Sequence, residues 1–341
     1  VLLDTHYYGG IKKYQWVNVP LAMRAVVSTS KGTKTIVYGE KEDEPRFLVP
    51  DLLIHLARDQ MEKKMKEAIS GEDLQILVGS MPVDDADIKD KVKFTVLRLL
   101  HEKYGIVEKD FRSADITFVP AARPSDIGFD ASLIAAYGHD DRVCAYTSLQ
   151  AFMQVKDPAR TAVAFFADRE EIGSFGDTGA RSHILENFME DILEKTKSQA
   201  RLSTVLENSS ALSCDVTDGL NPIFKDVHEA SNANMIGHGI SIEKYGGAGG
   251  KYSTHEASVE YMSWVTSVLD EHKVRWQTGE LGKIDQGGGG TIAMFLAKYG
   301  MSVIDAGPPV LAMHSTYEVV SKVDLYESYR AYHAFLRHLP E

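Results

Sequence analysis

The sequence predicts an α/β protein: a sheet flanked by helices forms its larger part, and a compact α+β module its smaller part. Two observations carry this expectation. From about residue 130 onward, short apolar runs alternate with polar loops and with longer segments of helical period. Between residue 15 and about residue 125, short alternating runs of the half-buried strand type are mixed with charged helical stretches.

In the first region, AVVST and KTIVYG read as strands. DLLIHLARDQMEKKMKEA places Leu52, Leu53, Leu56 and Met61 near helical spacing and predicts one amphipathic helix. An acidic loop, MPVDDADIKD, precedes a second amphipathic helix, VKFTVLRLLHEKYG, with Gly105 as its C-cap. Strand ITFVP then ends at the turn AARPSD. In the second region, strand ASLIAAYG leads through GHDD to helix RVCAYTSLQAFMQV, and strand TAVAFFA leads to DREEIGS. Helix RSHILENFMEDILEKTKSQA precedes SALSCDVTDG. HEASVEYMSWVTSVLDEHK is a helix, GGGGTIAMFLAKYG is a glycine loop entering another, MSVIDAGPP is a strand, and VDLYESYRAYHAFLRHL is the last helix.

The 341 residues carry a net charge of −12, with 44% hydrophobic and 25% charged residues, the profile of an ordinary globular chain. No apolar run approaches the ~20 residues of a membrane span, so no membrane partner is expected. The acidic balance, without a Lys/Arg cluster interleaved with aromatics, argues against nucleic acid. Cys144 and Cys214 are too few for a disulfide framework, which makes a reducing, cytoplasmic compartment the expectation. The chain opens on VLLDTHYYGG, without Met and already in an apolar run, which reads as a start inside a longer protein.

In open α/β sheets, ligands gather where strands end, because the loops there converge over a crevice. That rule selects Asp140 and Asp141 in GHDDR, Glu170 and Glu171 in DREEIGS, Asp215 in SCDVTDG and His314 in AMHST. Several carboxylates in one crevice repel one another unless cations sit among them, so a metal centre resolves the pattern. Carboxylates with histidine and no nearby Cys pair suit zinc, cobalt or manganese. Taken singly, each feature is ordinary: a Glu-Glu pair is usually a solvated charge run, and an Asp-Asp pair before a helix is usually a cap. The GGGGT segment lacks the Lys-Ser/Thr of a phosphate loop and does not match GxGxxG, so close backbone packing explains it better.

The stretches YGHDDRVCAYTSL, FADREEIGSFGDTGA, SCDVTDGLNP, KYGGAGGKYST, WQTGELGKIDQGGGGTIAMFLAKYG and VIDAGPPVLAMHSTYEVVSKVDLYESY, in this order, resemble the aspartyl aminopeptidase and vacuolar aminopeptidase I family of metallopeptidases. The resemblance runs from THYYGGIKKYQW over nearly the whole chain. It implies a zinc-peptidase catalytic domain over 1–14 and 126–341, with a central mixed sheet flanked by helices, and an inserted α+β dimerisation domain over 15–125.

It also implies two divalent ions, zinc in the first place and cobalt or manganese as alternatives. Asp140 would bridge them, Glu171 and His314 would complete one ion's ligands, Asp215 would bind the other, and Glu170 would act as general base. The family's remaining ligand is a histidine of an H-x-D motif that precedes THYYGG. His6 is not its equivalent, because it belongs to THYYGG itself. Weaker matches make His55 of VPDLLIHLARD the histidine offered to a neighbouring subunit's active site, and Lys244, Tyr252 and His238 substrate contacts. The implied reaction removes an acidic or neutral N-terminal residue from peptides, in a dodecamer built from dimers. The alternatives are an N-deacylase of the same clan and a metal-deficient assembly or binding protein. The adjacent glutamates would then take unlike roles, their side chains diverging as neighbours in an extended segment do.

Overall fold

The computed structural model describes residues 1–156, 158 and 160–338, and the chain divides into two compact units, Val1–Arg123 and Pro124–Glu341. The first unit is built on an antiparallel sheet of β1 (Leu21–Thr29), β2 (Gly32–Tyr38) and, after helix α1 (Lys91–Tyr104), β3 (Asp115–Pro120). Alternation along β1 buries Met23, Ala25 and Val27, which pack with Ile36 and Ile106. Helix α1 ends as its sequence predicts, at Gly105 in the left-handed conformation with φ 67°, its N–H bonded to the His101 carbonyl.

Residues 1–14 fall within this unit: Leu2–Leu3 pairs with Ile76–Leu77, and Leu3 and Ile11 join the cluster around Leu21, Val49 and Leu74. One expectation for this unit is corrected. The run 51–68 is not one helix but a 3-10 turn, Ile54–Leu56, and two single turns, Arg58–Met61 and Met65–Ala68, interrupted where Lys64 is extended. A short helix is held by burial of its apolar face. Here Leu52, Leu53, Ile54, Leu56, Met61 and Met65 are all more than half exposed, so that support is missing.

The second unit opens with β4 (Ser125–Ile127), β5 (Leu133–Ala136) and α2 (His139–Gln154). It continues through α3 (Ile184–Lys195), α4 (Leu202–Glu207), β6 (Ser210–Ser213), β7 (Thr217–Asp218) and β8 (Ile240–Glu243). Then come α5 (Val259–Glu271), β9 (Trp276–Thr278), α6 (Ala293–Ala297), β10 (Ser302–Gly307), β11 (Pro309–Leu311), β12 (Glu318–Ser321) and α7 (Lys322–Arg337). Two mixed sheets result, β9-β8-β10-β6 and β4-β5-β12-β11-β7.

Strand β10 shows why helices cover both faces of the first of these sheets. Ile304 and Ala306 pack with Tyr261, Val265 and Leu269 of α5 and with Ala331 and Tyr332 of α7. Val303, on the other face, packs with Leu185 of α3 and Ala293 and Leu296 of α6. Helix α7 starts at Ser321, whose hydroxyl accepts from the Val323 N–H, and Leu339 of the expected final helix lies outside the described residues.

The expected strand 161–167 is also corrected. Among the described residues this run belongs to no ladder, and the first bridge after it is Asp168 with Gly179. Apolar, β-branched composition favours extended backbone, but a strand needs a neighbour to bond to, and Phe166 is left 50% exposed.

Candidate active site

Four loops of the second unit supply the selected side chains. Asp140 and Asp141 follow β5 through Gly138, which turns in the left-handed conformation, and both depart from helical backbone at the start of α2. Asp215 follows β6. Its segment crosses the end of β10 at Gly307, where a Cβ would stand 1.7 Å from the Asp215 carbonyl oxygen, so only glycine permits the approach. His314 follows β11 and is itself left-handed, with φ 62°. Glu170 and Glu171 lie in a 3-10 turn, Glu170–Ile172, between left-handed Arg169 and Gly173. They diverge because a 3-10 turn rotates about 120° per residue, not because the backbone is extended.

The fold brings Asp140, Glu171 and His314 together. His314 Nε2 lies 3.0 Å from Asp140 Oδ2 and 3.2 Å from Glu171 Oε1, and the three ligand atoms fall within 4.8 Å of one another. Glu170 and Asp215 line the same cavity of 580 Å³, with Glu243, Glu280, Asp305, Lys251 and Lys283. The wall includes Gly287, Gly288, Gly289 and Gly290, so the GGGGT segment serves close packing: a Cβ at Gly288 would meet the Gly247 carbonyl at 1.8 Å.

The electrostatics are those of an acid cluster short of positive charge. Burial, and then the charges of Glu171 and Asp140, push the Glu170 carboxyl up to about 7. Burial and the neighbouring Asp141 and Asp140 drive Asp215 well above the usual carboxylate range. His314 is held up at about 11 by its bonds to Asp140 and Glu171. Asp141 Oδ1 is buried with no hydrogen-bond partner among the described residues. Two carboxylates and an imidazole at this spacing, with further acids behind them, fit a divalent ion of the zinc class.

Sequence reasoning missed Glu318. This residue, 2% exposed on β12, accepts the Asp140 N–H at 3.0 Å through Oε2 and the His314 N–H at 2.8 Å through Oε1. One carboxylate thereby fixes the backbone of two candidate metal ligands. Its only sequence signal is an acid at the head of an apolar strand, EVVS. Glu318→Ala is expected to weaken zinc binding about 10- to 100-fold, with the fold retained; chelator competition measures it, and unchanged affinity would show that these bonds do not position the ligands.

Of the residues expected to meet substrate, Lys244 is paired with Glu256 at 2.9 Å and does not line the cavity. Tyr252 is 74% exposed, and His238 lines a separate depression with Asp270, Arg275 and Trp276. Lys251 and Lys283 are the lysines that line the cavity wall, and both were missed because they sit on glycine-rich loops without periodicity. His55 lies in the first unit, within the exposed turn Ile54–Leu56.

The family model for Aminopeptidase I zinc metalloprotease (M18) matches residues 1–336. The chain belongs to the M18 aminopeptidase family. It is 47% identical over 342 residues to a probable M18 family aminopeptidase 1 of Borrelia garinii, covering 98% of this chain and 74% of the relative. The crystal structure of the M18 aminopeptidase from Thermotoga maritima superposes with a TM-score of 0.95 at 45% identity, covering 99% of this chain and 75% of that one. A more distant likeness, of fold alone, is to the S. cerevisiae mApe1 dodecamer, with a TM-score of 0.72 at 23% identity over 97% of this chain and 72% of that one. This M18 chain is thus a zinc-dependent metalloaminopeptidase, a hydrolase of peptide bonds.

Proposed function

We propose that the cavity is a dinuclear site that removes an acidic or neutral N-terminal residue from peptides. The observation that carries this reading is the convergence of Asp140, Glu171 and His314 on one point, with Glu170 and Asp215 lining the same cavity. Asp140, Glu171 and His314 would hold one ion, and Asp140 and Asp215 would face the other. When bound, the ions supply Lewis acidity toward the scissile carbonyl and acidify the attacking water. Glu170 stays off the ligand set, takes the water proton and returns it to the leaving amine. The ammonium groups of Lys251 and Lys283, on the same wall, complement a carboxylate on the substrate.

The exposed apolar run from Leu52 to Met65 supports self-association, and a dodecamer is the assembly proposed, with His55 of that run offered to a second copy. Among the described residues no helix is long and apolar enough to cross a membrane, and the two free cysteines are consistent with a cytoplasmic setting.

The test is zinc analysis paired with a panel of aminoacyl arylamides. Hydrolysis of at least one acidic or neutral member, lost with a chelator and restored by zinc, is the expected result. Protein that retains its zinc and hydrolyses none of the panel would overturn the reading.

A further inference from the structure

A second group of metal-binding side chains stands where two helices of the second unit end. Glu271 is the last residue of α5, His272 is its C-cap, and His338 is the C-cap of α7. The two helices pack side by side, with Trp264 of α5 edge-on to Phe335 of α7 at 5.8 Å. Their carboxyl ends therefore meet, and both present the negative pole of a helix dipole, which favours a cation. None of the three residues lines the catalytic cavity. Helices α5 and α7 pack on the Ile304 and Ala306 face of β10, whereas Asp305, of opposite alternation, borders that cavity.

The donors are already arranged. His338 Nδ1 lies 3.1 Å from the Ala334 carbonyl, which accepts its proton. That bond fixes the tautomer, leaves the Nε2 lone pair free, and places Nε2 3.6 Å from Glu271 Oε2. The His272 and His338 rings stand edge to face with centroids 4.5 Å apart, and the three ligand atoms fall within 4.8 Å. Ligands about 2.0–2.2 Å from a tetrahedral zinc lie roughly 3.3 Å from one another. Small side-chain rotations at this accessible site close the remaining distance. Of the cations nearby, Arg330 is committed to the Glu327 carboxylate at 2.9 Å and to the His272 carbonyl at 2.7 Å, which leaves Arg337 as the opposing charge.

We propose that Glu271, His272 and His338 form a further divalent-metal site of the zinc class, which ties the ends of α5 and α7 together and takes no part in the reaction. Two imidazoles and a carboxylate with the fourth position open to water suit zinc over magnesium or calcium.

The experiment titrates the full-length holoenzyme, its catalytic site saturated, with additional zinc. Free zinc is followed by a chelating dye and the thermal midpoint is recorded in parallel, for the unmodified protein, His272→Ala and His338→Ala. The expected result is one extra equivalent of zinc in the unmodified protein. Its affinity should fall at least about tenfold in each variant, the cost already attached to losing an outer partner of a ligand. A zinc-dependent rise in midpoint should be absent from both variants, and arylamide turnover should be unchanged. Equal extra zinc, or an equal rise in midpoint, in the unmodified protein and the variants would overturn the site. A variant that fails to fold leaves the other one, which lies on a different helix end, to decide.

Discussion

Glu170→Gln is expected to lower kcat by about 100- to 10,000-fold while the zinc content stays as it was. The substitution keeps the size of the side chain and removes its capacity to accept a proton. Zinc should remain because Glu170 stands outside the Asp140, Glu171 and His314 set, although it lines the same cavity. KM should move little, since the lost interaction belongs to proton transfer and not to holding the substrate. The pH profile gives a second readout. A general base works deprotonated, so kcat/KM rises as pH passes upward through its pKa. Burial and the charges of Glu171 and Asp140 raise the Glu170 carboxyl to about 7, and bound cations oppose the raising effect of those charges. The ascending limb is therefore expected at or below pH 7, and it should be missing from the residual activity of Glu170→Gln. Loss of zinc from the variant would make Glu170 a ligand, and a limb that persists unchanged would assign the base elsewhere.

The site was legible in the sequence where its chemistry is local to a strand end. Asp140, Asp215 and His314 each follow an apolar run that does form a strand, so the rule that ligands gather at strand ends found them without any knowledge of packing. Glu318 was not legible, because its work is done on backbone N–H groups, one of them 178 residues away in the chain. The extended reading of 161–167 and the helical reading of 51–68 rested on composition and period. Neither property says whether a ladder or an apolar face will be there to receive the segment, and among the described residues of the second unit no strand pairs with 161–167. Lys251 and Lys283 reach the cavity wall from loops whose course is set by glycine contacts such as Gly288 on the Gly247 carbonyl, a tertiary fact with no local signature.

Asp140→Ala and His314→Ala should part company in metal content, and that difference tests the bridging role directly. Asp140 contacts His314, and its charge also acts on Asp215 and Glu170, as the bridging role proposed for it requires. Removing it should release both ions. His314 meets Asp140 and Glu171, the other ligands proposed for the first ion, so its removal should release that ion and leave the one facing Asp215. Either variant should lose on the order of 1,000-fold or more in kcat/KM, because several kcal/mol of transition-state charge stabilisation leaves with the metal. Activity alone cannot separate the two cases; zinc per chain, measured by atomic absorption after dialysis and corrected for the helix-end site with a His338→Ala background, can. Loss of a single ion from both variants would place Asp140 on one ion only. In the metal-free protein Asp140→Ala also removes one of the charges that raise the Asp215 carboxyl, so Asp215 should titrate lower there than in His314→Ala. An NMR titration of that carboxyl would detect the difference without any metal, and so tests the electrostatic half of the arrangement separately from the ligand half.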